Sequence, residues 1–180
     1  MISLVQMSKF ISASAVAICL TSGLQADNPI HDALQHPARP SQDLRLDHVR
    51  KPAEVLTFFE VKPGMKVLDV FAGPGYYTEI LNHLVGSEGK VTMFNHKPWE
   101  AYSKAGSDAR VKGNRLKNAK TMFEDINTVE FLSNHYDASL IILGLHDLYH
   151  RSEKSVSGDE LDTAYFLKAL YNGMKPGGVV

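Results

Sequence analysis

Segments typical of buried strands alternate with segments of helical spacing, and this alternation limits the folds open to the chain more than any other feature. The strand-like runs, apolar and containing β-branched residues, are 66–71, 91–94, 121–123, 138–143 and the start of a fifth at 179–180. The main helical segments are 52–59, 76–85 and 159–174. Strands joined through helices pair in parallel by right-handed crossovers. We therefore predict an α/β fold with a doubly wound, mainly parallel sheet and helices on both faces.

The composition agrees with one globular domain. The chain has 180 residues, of which 44% are apolar and 22% charged, and its formal net charge is −1. This composition excludes a disordered tail or a fibre, and the small net charge argues against nucleic acid as the partner. Residues 97–120 contain seven Lys and Arg but only two aromatic residues. That ratio favours a solvated helix face over a nucleic-acid patch.

Residues 1–26 have the features of a secretory signal peptide. Lys9 precedes an apolar run of 11 residues at 10–20, whereas a membrane-spanning helix needs about 20. Small residues before Ala26 predict cleavage after that residue, and an uncleaved anchor remains the alternative. Cleavage removes Cys19, the only cysteine, so the mature chain forms no disulfide. We expect an exported protein, periplasmic or secreted, with no stable membrane span after cleavage; Met7 is an alternative start.

Three parts of the chain follow from these observations. They are a signal peptide at 1–26, a lead-in segment at 27–50 and a domain at 51–180. The lead-in segment contains three prolines among scattered polar residues, which favours a path across the surface. Near the other end, the sequence Lys-Pro-Gly-Gly at 175–178 predicts a turn before the fifth strand.

A glycine turn, Ala-Gly-Pro-Gly at 72–75, joins the first predicted strand to its helix. Glycine lets the backbone approach a ligand, and the helix N-terminus adds unpaired N–H groups. Asp69 can accept hydrogen bonds from a ligand's ammonium group or from the turn's own amides. A plain turn, in which glycine only satisfies φ, is the alternative. A dinucleotide site is disfavoured because Thr78 replaces the third glycine of that motif and Asn95 replaces its ribose-binding acid.

Three segments resemble the class I S-adenosylmethionine-dependent methyltransferases. Residues 67–78 (VLDVFAGPGYYT) resemble motif I of that superfamily, and residues 143–149 (LGLHDLY) resemble the fourth-strand motif of an exported "predicted methyltransferase" branch. Residues 174–179 (MKPGGV) resemble the turn that enters strand five. The resemblance covers residues 37–180 in the expected order and spacing. It implies a Rossmann-like sheet of the methyltransferase type and S-adenosylmethionine as the cofactor.

The resemblance also implies which residues contact the cofactor. Those positions are Asp69, Phe71, Gly73, Gly75, Asn95, Asp125 and Gly144. Asp69, Gly73 and Gly75 would line the methionine half of the cofactor, and Phe71 lies in the same segment. Asn95 would face the ribose hydroxyls, Asp125 the adenine amino group, and Gly144 the transferred methyl. Phe71 departs from the family's first glycine and Asn95 from its usual acid, and an amide binds a hydroxyl less strongly than a carboxylate does.

Methyl transfer requires alignment of the reactants and, for an oxygen or nitrogen nucleophile, a base. His146 is the best candidate base because it follows the strongest predicted strand and histidine titrates near neutrality. A histidine that only bonds a neighbouring loop is the alternative. His146 and His150 have the spacing of a helical zinc pair, but no third ligand can be named, so we predict no metal.

The predicted function is S-adenosylmethionine-dependent methyl transfer to a small-molecule or envelope acceptor. A non-catalytic or vestigial S-adenosylmethionine-binding domain is the first alternative, and a nucleotide-binding oxidoreductase is a weaker one. The resembled fold has two more strands after strand five. We therefore expect a C-terminally incomplete domain, truncated at strand five, with the acceptor half damaged.

Overall fold

The structure of the protein is a computed structural model, and it describes residues 28–149 and 161–180. The predicted signal peptide at 1–26 lies outside the described residues. The strands are β1 (Lys66–Val70), β2 (Lys90–His96), β3 (Ala119–Glu124), β4 (Tyr136–Ile141) and β5 (Met174–Val179). The helices are α1 (Pro29–Leu34), α2 (Ser41–Leu44), α3 (Asp47–Arg50), α4 (Pro52–Phe58), α5 (Tyr76–Val85), α6 (Glu100–Val111) and α7 (Thr163–Gly173). Short 3-10 helices lie at Lys97–Trp99, Lys112–Asn114 and Leu145–Tyr149.

The five strands form one sheet in the order β3-β2-β1-β4-β5, and every neighbouring pair is parallel. The predicted α/β fold with a parallel sheet is thereby confirmed. The strand order reverses between β1 and β4, and open α/β sheets bind ligands at such a reversal, outside the carboxyl ends of the strands. The loops that follow β1 and β4 are therefore where the fold favours a ligand.

Both faces of the sheet are covered. Val67 of β1 belongs to the core on one face, with α1, α4 and α5, while Leu68 and Val70 belong to the core on the other face, with α7. These three side chains are at most 1% exposed. Strands buried on both faces read as continuous apolar runs, which is why the sequence revealed them. None of the helices in the two described ranges is long and apolar enough to cross a membrane.

The lead-in segment differs from its prediction as a path across the surface. Pro29 is the first residue of α1, which Asn28 caps by accepting a hydrogen bond from the backbone N–H of His31 (3.1 Å), and Pro40 directly precedes α2. Ala33 and Leu34 join the core beside α5. The segment therefore takes part in the core through α1, whereas Leu44, Leu46 and Val49 stay exposed.

Ion pairs and hydrogen bonds fasten the same segment to the start of α5. The fully buried guanidinium of Arg39 donates to both carboxylate oxygens of Asp47, at 2.9 and 2.7 Å. Asp47 also accepts a hydrogen bond from the hydroxyl of Tyr76 (2.6 Å), and the hydroxyl of Tyr77 donates to the carbonyl of Arg50 (2.7 Å). The two tyrosines directly after the glycine turn thus hold the lead-in segment over it.

The predicted turn at 175–178 is part of β5 instead. Tyr136 pairs with Met174 and Ala138 pairs with Val179, so two steps along β4 correspond to five along β5. The extra residues form a bulge, and Gly177 within it has φ +79°. A bulge inside a strand and a turn before a strand use the same residue types, so the sequence pattern did not distinguish them.

Candidate functional site

The glycine turn follows β1 at the carboxyl edge of the sheet. Gly73 and Gly75 have φ values of +56° and +89°, a region that other residues rarely adopt. A Cβ atom on Gly75 would lie 2.7 Å from the sulfur of Met93, so glycine is also required there by space. A Cβ on Gly73 would meet no atom closer than a ring carbon of Tyr102 at 3.9 Å. The turn therefore has a crowded inner side at Gly75 and an open side at Gly73.

Side chains of β2 and α6 hold the backbone of the turn. Asn95 accepts a hydrogen bond from the N–H of Gly73 (2.8 Å) and donates one to its carbonyl oxygen (3.1 Å). Ser107 donates to the same carbonyl (2.9 Å), and the Nε of Arg110 donates to the carbonyl of Pro74 (3.0 Å). Two consecutive carbonyls of the turn are thus fixed by side chains, which limits the conformations that two glycines otherwise allow.

Asn95, the predicted contact for the ribose hydroxyls, bonds the turn and α6 through its side chain. The residue is 4% exposed, and its amide nitrogen donates to the carbonyl of Gly73 and to the hydroxyl of Ser107 (3.4 Å). With these donors engaged, Asn95 supports the turn from within the fold. The sequence did not reveal this role because an amide at a strand end has the same pattern whether its partner is a ligand or the backbone.

A buried network of charges lies behind the turn. Arg110 donates to both carboxylate oxygens of Asp43 (2.5 and 2.9 Å) and to Glu79 (2.9 Å). Arg115 forms two hydrogen bonds with Glu79, at 2.7 and 2.5 Å. The basic stretch at 97–120, predicted as a solvated face, therefore includes an arginine that is only 7% exposed. The one sequence signal for this network was an acid, Glu79, inside the apolar helix α5.

Glu79 is ionised within this network. Burial by itself raises the pKa of Glu79, but hydrogen bonds from His83, Arg115 and Arg110 outweigh burial and lower that pKa to about 2. The side chain of Glu79 is fully buried, so its charge depends on these partners. A buried carboxylate with two arginine partners keeps α5, α6 and the lead-in segment in one arrangement around the turn.

Asp69, predicted to contact the cofactor, directs its carboxyl group toward α5. It is 2% exposed and accepts a hydrogen bond from the hydroxyl of Thr78 (2.6 Å). Burial raises the pKa of Asp69 to about 7, even though the hydrogen bonds from Thr78 act in the opposite direction. The carboxyl group therefore changes charge near neutral pH, and it links the end of β1 to the first turn of α5.

This carboxyl group makes the stability of the domain depend on pH. In the unfolded state Asp69 releases its proton above a pKa of 3.8, whereas in the folded state it keeps the proton up to about pH 7. The stabilisation that this proton gives the folded state is therefore complete at low pH and is lost as pH rises to about 7. Between pH 5 and pH 8 we expect the free energy of unfolding of the wild type to fall by roughly 3 kcal/mol relative to that of Asp69→Asn, whose amide does not titrate. Urea unfolding of both proteins at the two pH values measures this change. If the free energies of unfolding of the two proteins differed by the same amount at both pH values, the raised pKa of Asp69 would be contradicted.

Phe71 and Gly144 bring the loops after β1 and β4 together. A Cβ on Gly144 would lie 3.2 Å from the Cβ and Cδ2 atoms of Phe71, so the backbone of Gly144 lies directly against the phenyl ring. The same ring packs on Trp99 and Phe166, with ring centroids 5.4 and 5.6 Å away. The backbone φ of Phe71 is +53°, a value that glycine adopts more easily than phenylalanine does. The ring of Phe71 therefore fills the space between the two loops, and we call this ring, with the backbone of Gly144 on it, the Phe71–Gly144 floor.

Asp125 follows β3 at the same edge, as the predicted cofactor position requires. Its Oδ1 accepts a hydrogen bond from the backbone N–H of Asn127 (2.8 Å) and lies 3.9 Å from Nδ1 of His96. His96, the last residue of β2, is 1% exposed and accepts a hydrogen bond from the N–H of Ile126 (3.2 Å). Burial lowers the pKa of His96, so its ring is held neutral beside Trp99.

His146, the predicted base, lies on the 3-10 helix Leu145–Tyr149 after β4. Its side chain is 73% exposed, and its Nε2 lies 3.2 Å from Oδ1 of Asp147. His150 lies outside the described residues. In the described part of the chain, three or more histidines, cysteines or acids are nowhere grouped so as to hold a metal ion. The exposed position of His146 leaves its imidazole accessible to a molecule that approaches the Phe71–Gly144 floor.

The ends of four strands, β1 to β4, thus bring the predicted positions to one edge of the sheet, but with different orientations. Gly73 leaves an open side, and Phe71 with Gly144 forms a floor beside it. Asp69 and Asn95 are turned into the fold. The arrangement combines a rigid glycine turn, a helix N-terminus and an exposed histidine, which suits the binding of a small polar molecule next to an acceptor.

This chain is similar to known methyltransferases in both sequence and structure. The sequence profile of the family described as "Protein-L-isoaspartate(D-aspartate) O-methyltransferase (PCMT)" matches residues 37–138. A crystal structure described as a SAM-dependent methyltransferase from Aquifex aeolicus superposes with a TM-score of 0.57 and 26% identity, covering 77% of this chain and 68% of that chain. The residues that match the family profile, 37–138, include the glycine turn, the charge network behind it and strands β1 to β3.

Two curated relatives have the description ubiquinone/menaquinone biosynthesis C-methyltransferase. The protein from Pseudomonas fluorescens (strain Pf0-1) is 28% identical over 118 residues, which are 66% of this chain and 41% of that protein. The protein from Shewanella baltica (strain OS155 / ATCC BAA-1091) is 30% identical over 118 residues, 65% of this chain and 41% of that protein. The chain therefore spans about two fifths of the length of these curated relatives.

Proposed function

The chain belongs to the protein-L-isoaspartate(D-aspartate) O-methyltransferase family of S-adenosylmethionine-dependent methyltransferases, and from this membership we propose that it transfers a methyl group to an acceptor at the carboxyl edge of its sheet. The cofactor of the family is S-adenosylmethionine. The observation that carries the proposal is the glycine turn: side chains fix its backbone from behind, while a Cβ on Gly73 would meet only a ring carbon of Tyr102, at 3.9 Å.

The residues present fit this cofactor. A Cβ on Gly73 would meet only a ring carbon of Tyr102, at 3.9 Å, and the turn leads directly into the N-terminus of α5, where the first N–H groups have no partners within a helix. One of them, the N–H of Thr78, is bonded to Asp69. Bound there, S-adenosylmethionine supplies an electrophilic methyl group on a sulfonium. We assign Gly73 and Gly75 to its methionine half and Gly144 to the neighbourhood of the methyl. Asp125 remains the proposed contact for the adenine amino group, and Asp69 and Asn95 act by holding the turn.

The protein's part in the reaction is alignment and proton removal. Gly73 and Gly144 would keep the cofactor and the acceptor in line across the ring of Phe71. His146 would accept the proton of an oxygen or nitrogen nucleophile, since it follows Gly144 by two residues and its side chain is 73% exposed. Oδ1 of Asp147 lies 3.2 Å from Nε2 of His146, so Asp147 is placed to orient the imidazole.

The acceptor and the compartment are further parts of the proposal. The exposed position of His146 supports a small-molecule or envelope acceptor that reaches the site from solvent. The signal-like residues 1–26 support export to the periplasm or medium, as in the exported branch that the sequence resembles. Mass spectrometry of the purified protein from a secreting host tests export: loss of residues 1–26 supports it, and an intact N-terminus contradicts it.

Calorimetric titration tests the proposed cofactor. We expect the wild type to bind S-adenosylhomocysteine and S-adenosylmethionine in one site per chain and not to bind NAD. Binding of NAD alone would support an oxidoreductase and overturn the proposal. Binding of S-adenosylhomocysteine without methyl transfer to any of a panel of acceptors would instead indicate a non-catalytic binding domain. The panel should include an isoaspartyl peptide and a demethylated quinone precursor, chosen from the descriptions of the family and of the curated relatives.

A further inference from the structure

Arg110 of α6 joins three segments that are distant in sequence. Its Nε donates to the carbonyl of Pro74 in the glycine turn (3.0 Å), and its two terminal nitrogens donate to the carboxylate of Asp43 in the lead-in segment (2.5 and 2.9 Å). One of those nitrogens also donates to Glu79 of α5 (2.9 Å). The side chain is 8% exposed, so water does not compete strongly for these contacts.

The turn needs such an external constraint. Gly73 and Gly75 flank Pro74, and glycine loses more conformational freedom on ordering than any other residue. α6 also approaches Pro74 closely: a Cβ on Gly106 would lie 2.5 Å from the Cβ of Pro74. The contact from Arg110 therefore fixes the central carbonyl of a turn whose neighbouring residues are intrinsically free to move.

We propose that Arg110 is a positioning residue for the cofactor: it holds the carbonyl of Pro74 so that the open side of Gly73 keeps the shape that binds S-adenosylmethionine. This inference rests on the proposed function. Arg110 acts through the turn and does not itself line the open side, because its guanidinium faces Asp43 and Glu79 within the fold.

Asp43 sets the orientation of Arg110. Both carboxylate oxygens of Asp43 pair with the two terminal nitrogens, and this planar two-bond geometry leaves Nε directed at Pro74. Asp43 is 3% exposed and lies in α2 of the lead-in segment. The lead-in segment thereby contributes to cofactor affinity through a contact made on the far side of the turn.

Arg110→Met and Asp43→Asn test the inference, with Arg115→Met as the matched control. Arg115 also pairs with Glu79, and both of these hydrogen bonds end on that carboxylate rather than on the turn. S-adenosylhomocysteine is titrated into each protein at a temperature well below its own melting transition, so that every sample is folded. We expect the Kd to rise about 10-fold for Arg110→Met and several-fold for Asp43→Asn, and to stay within about 2-fold of the wild type for Arg115→Met. A merely structural role would lower the melting temperatures of all three variants alike and leave every Kd unchanged.

The Kd values of the variants decide whether Arg110 positions the turn for the cofactor. A wild-type Kd for Arg110→Met overturns the positioning role, and so does an equal rise in Kd for Arg115→Met. If Arg110→Met does not fold, the comparison of Asp43→Asn with Arg115→Met decides in the same way. A wild type that binds no S-adenosylhomocysteine overturns the proposed function itself, which is a different result from a wild type that binds it and an Arg110→Met variant that binds it equally well.

Discussion

Gly75→Ala is expected to destabilise the domain by about 3 kcal/mol, since two costs add at this position. The new methyl group would lie 2.7 Å from the sulfur of Met93 and 3.3 Å from Cγ of Arg110, both in buried side chains. The backbone also has φ +89°, which an alanine adopts only with strain. Urea unfolding monitored by circular dichroism measures the loss, and the weakened turn should also reduce binding of S-adenosylhomocysteine.

Gly113→Ala is the matched control for Gly75→Ala. Gly113 has φ +64°, but a Cβ there would meet no atom within 4 Å. The control therefore keeps the backbone strain and removes the steric clash, so we expect it to cost only about 1 kcal/mol. Equal losses for the two variants would show that the space at Gly75 does not matter and would contradict the crowded inner side of the turn.

Glu79→Gln is expected to cost about 3–5 kcal/mol at pH 7, because it leaves two arginines without their shared buried carboxylate. Glu79 is fully buried and accepts hydrogen bonds from Arg110 and Arg115. Hydrogen bonds from these arginines and His83 outweigh burial and lower the pKa of Glu79 from 4.5 to about 2. The advantage of the wild type over the variant is therefore complete above pH 4.5 and decreases as pH falls toward 2.

Unfolding at pH 7 and pH 3 tests this dependence. We expect the difference between wild type and Glu79→Gln to shrink by about 2 kcal/mol at the lower pH. Glu100→Gln is the control: Glu100 also pairs with two basic side chains, Lys97 and Lys104, but on the surface of α6. We expect this control to unfold almost as the wild type does. A similar loss in both variants would contradict a special role for the buried network.

Much of the fold was predictable because its signals are local. The strand character of 66–71 and 138–143, the helical spacing of 76–85 and the glycine turn between them all appear within a few residues of sequence, and β1, β4 and α5 lie where these signals placed them. Parallel pairing followed from the alternation of the elements. The lead-in segment was less predictable: its short helices have few apolar residues, and only their contacts with α5 make them part of the core.

The site was predictable in position and less so in orientation. Every predicted cofactor position lies at the carboxyl edge of the sheet, which follows from parallel strands alone. Whether Asn95 faces a ligand or the turn depends on the distance to Gly73, 22 residues away in sequence. No pattern around residue 95 contains that distance, so the supporting role of this amide emerged only from the packed structure.

The alternation of strands and helices after residue 51, the glycine turn and the resemblance to a methyltransferase family could all be read from short segments of sequence, since periodicity, φ restrictions and motif spacing are local properties. The meeting of Arg110 with Asp43, 67 residues earlier, and with Pro74, 36 residues earlier, could be seen only in the folded protein. Such pairs depend on how the sheet order and the helix packing bring distant segments together, and the burial that gives these charges their strength exists only once the layers have packed.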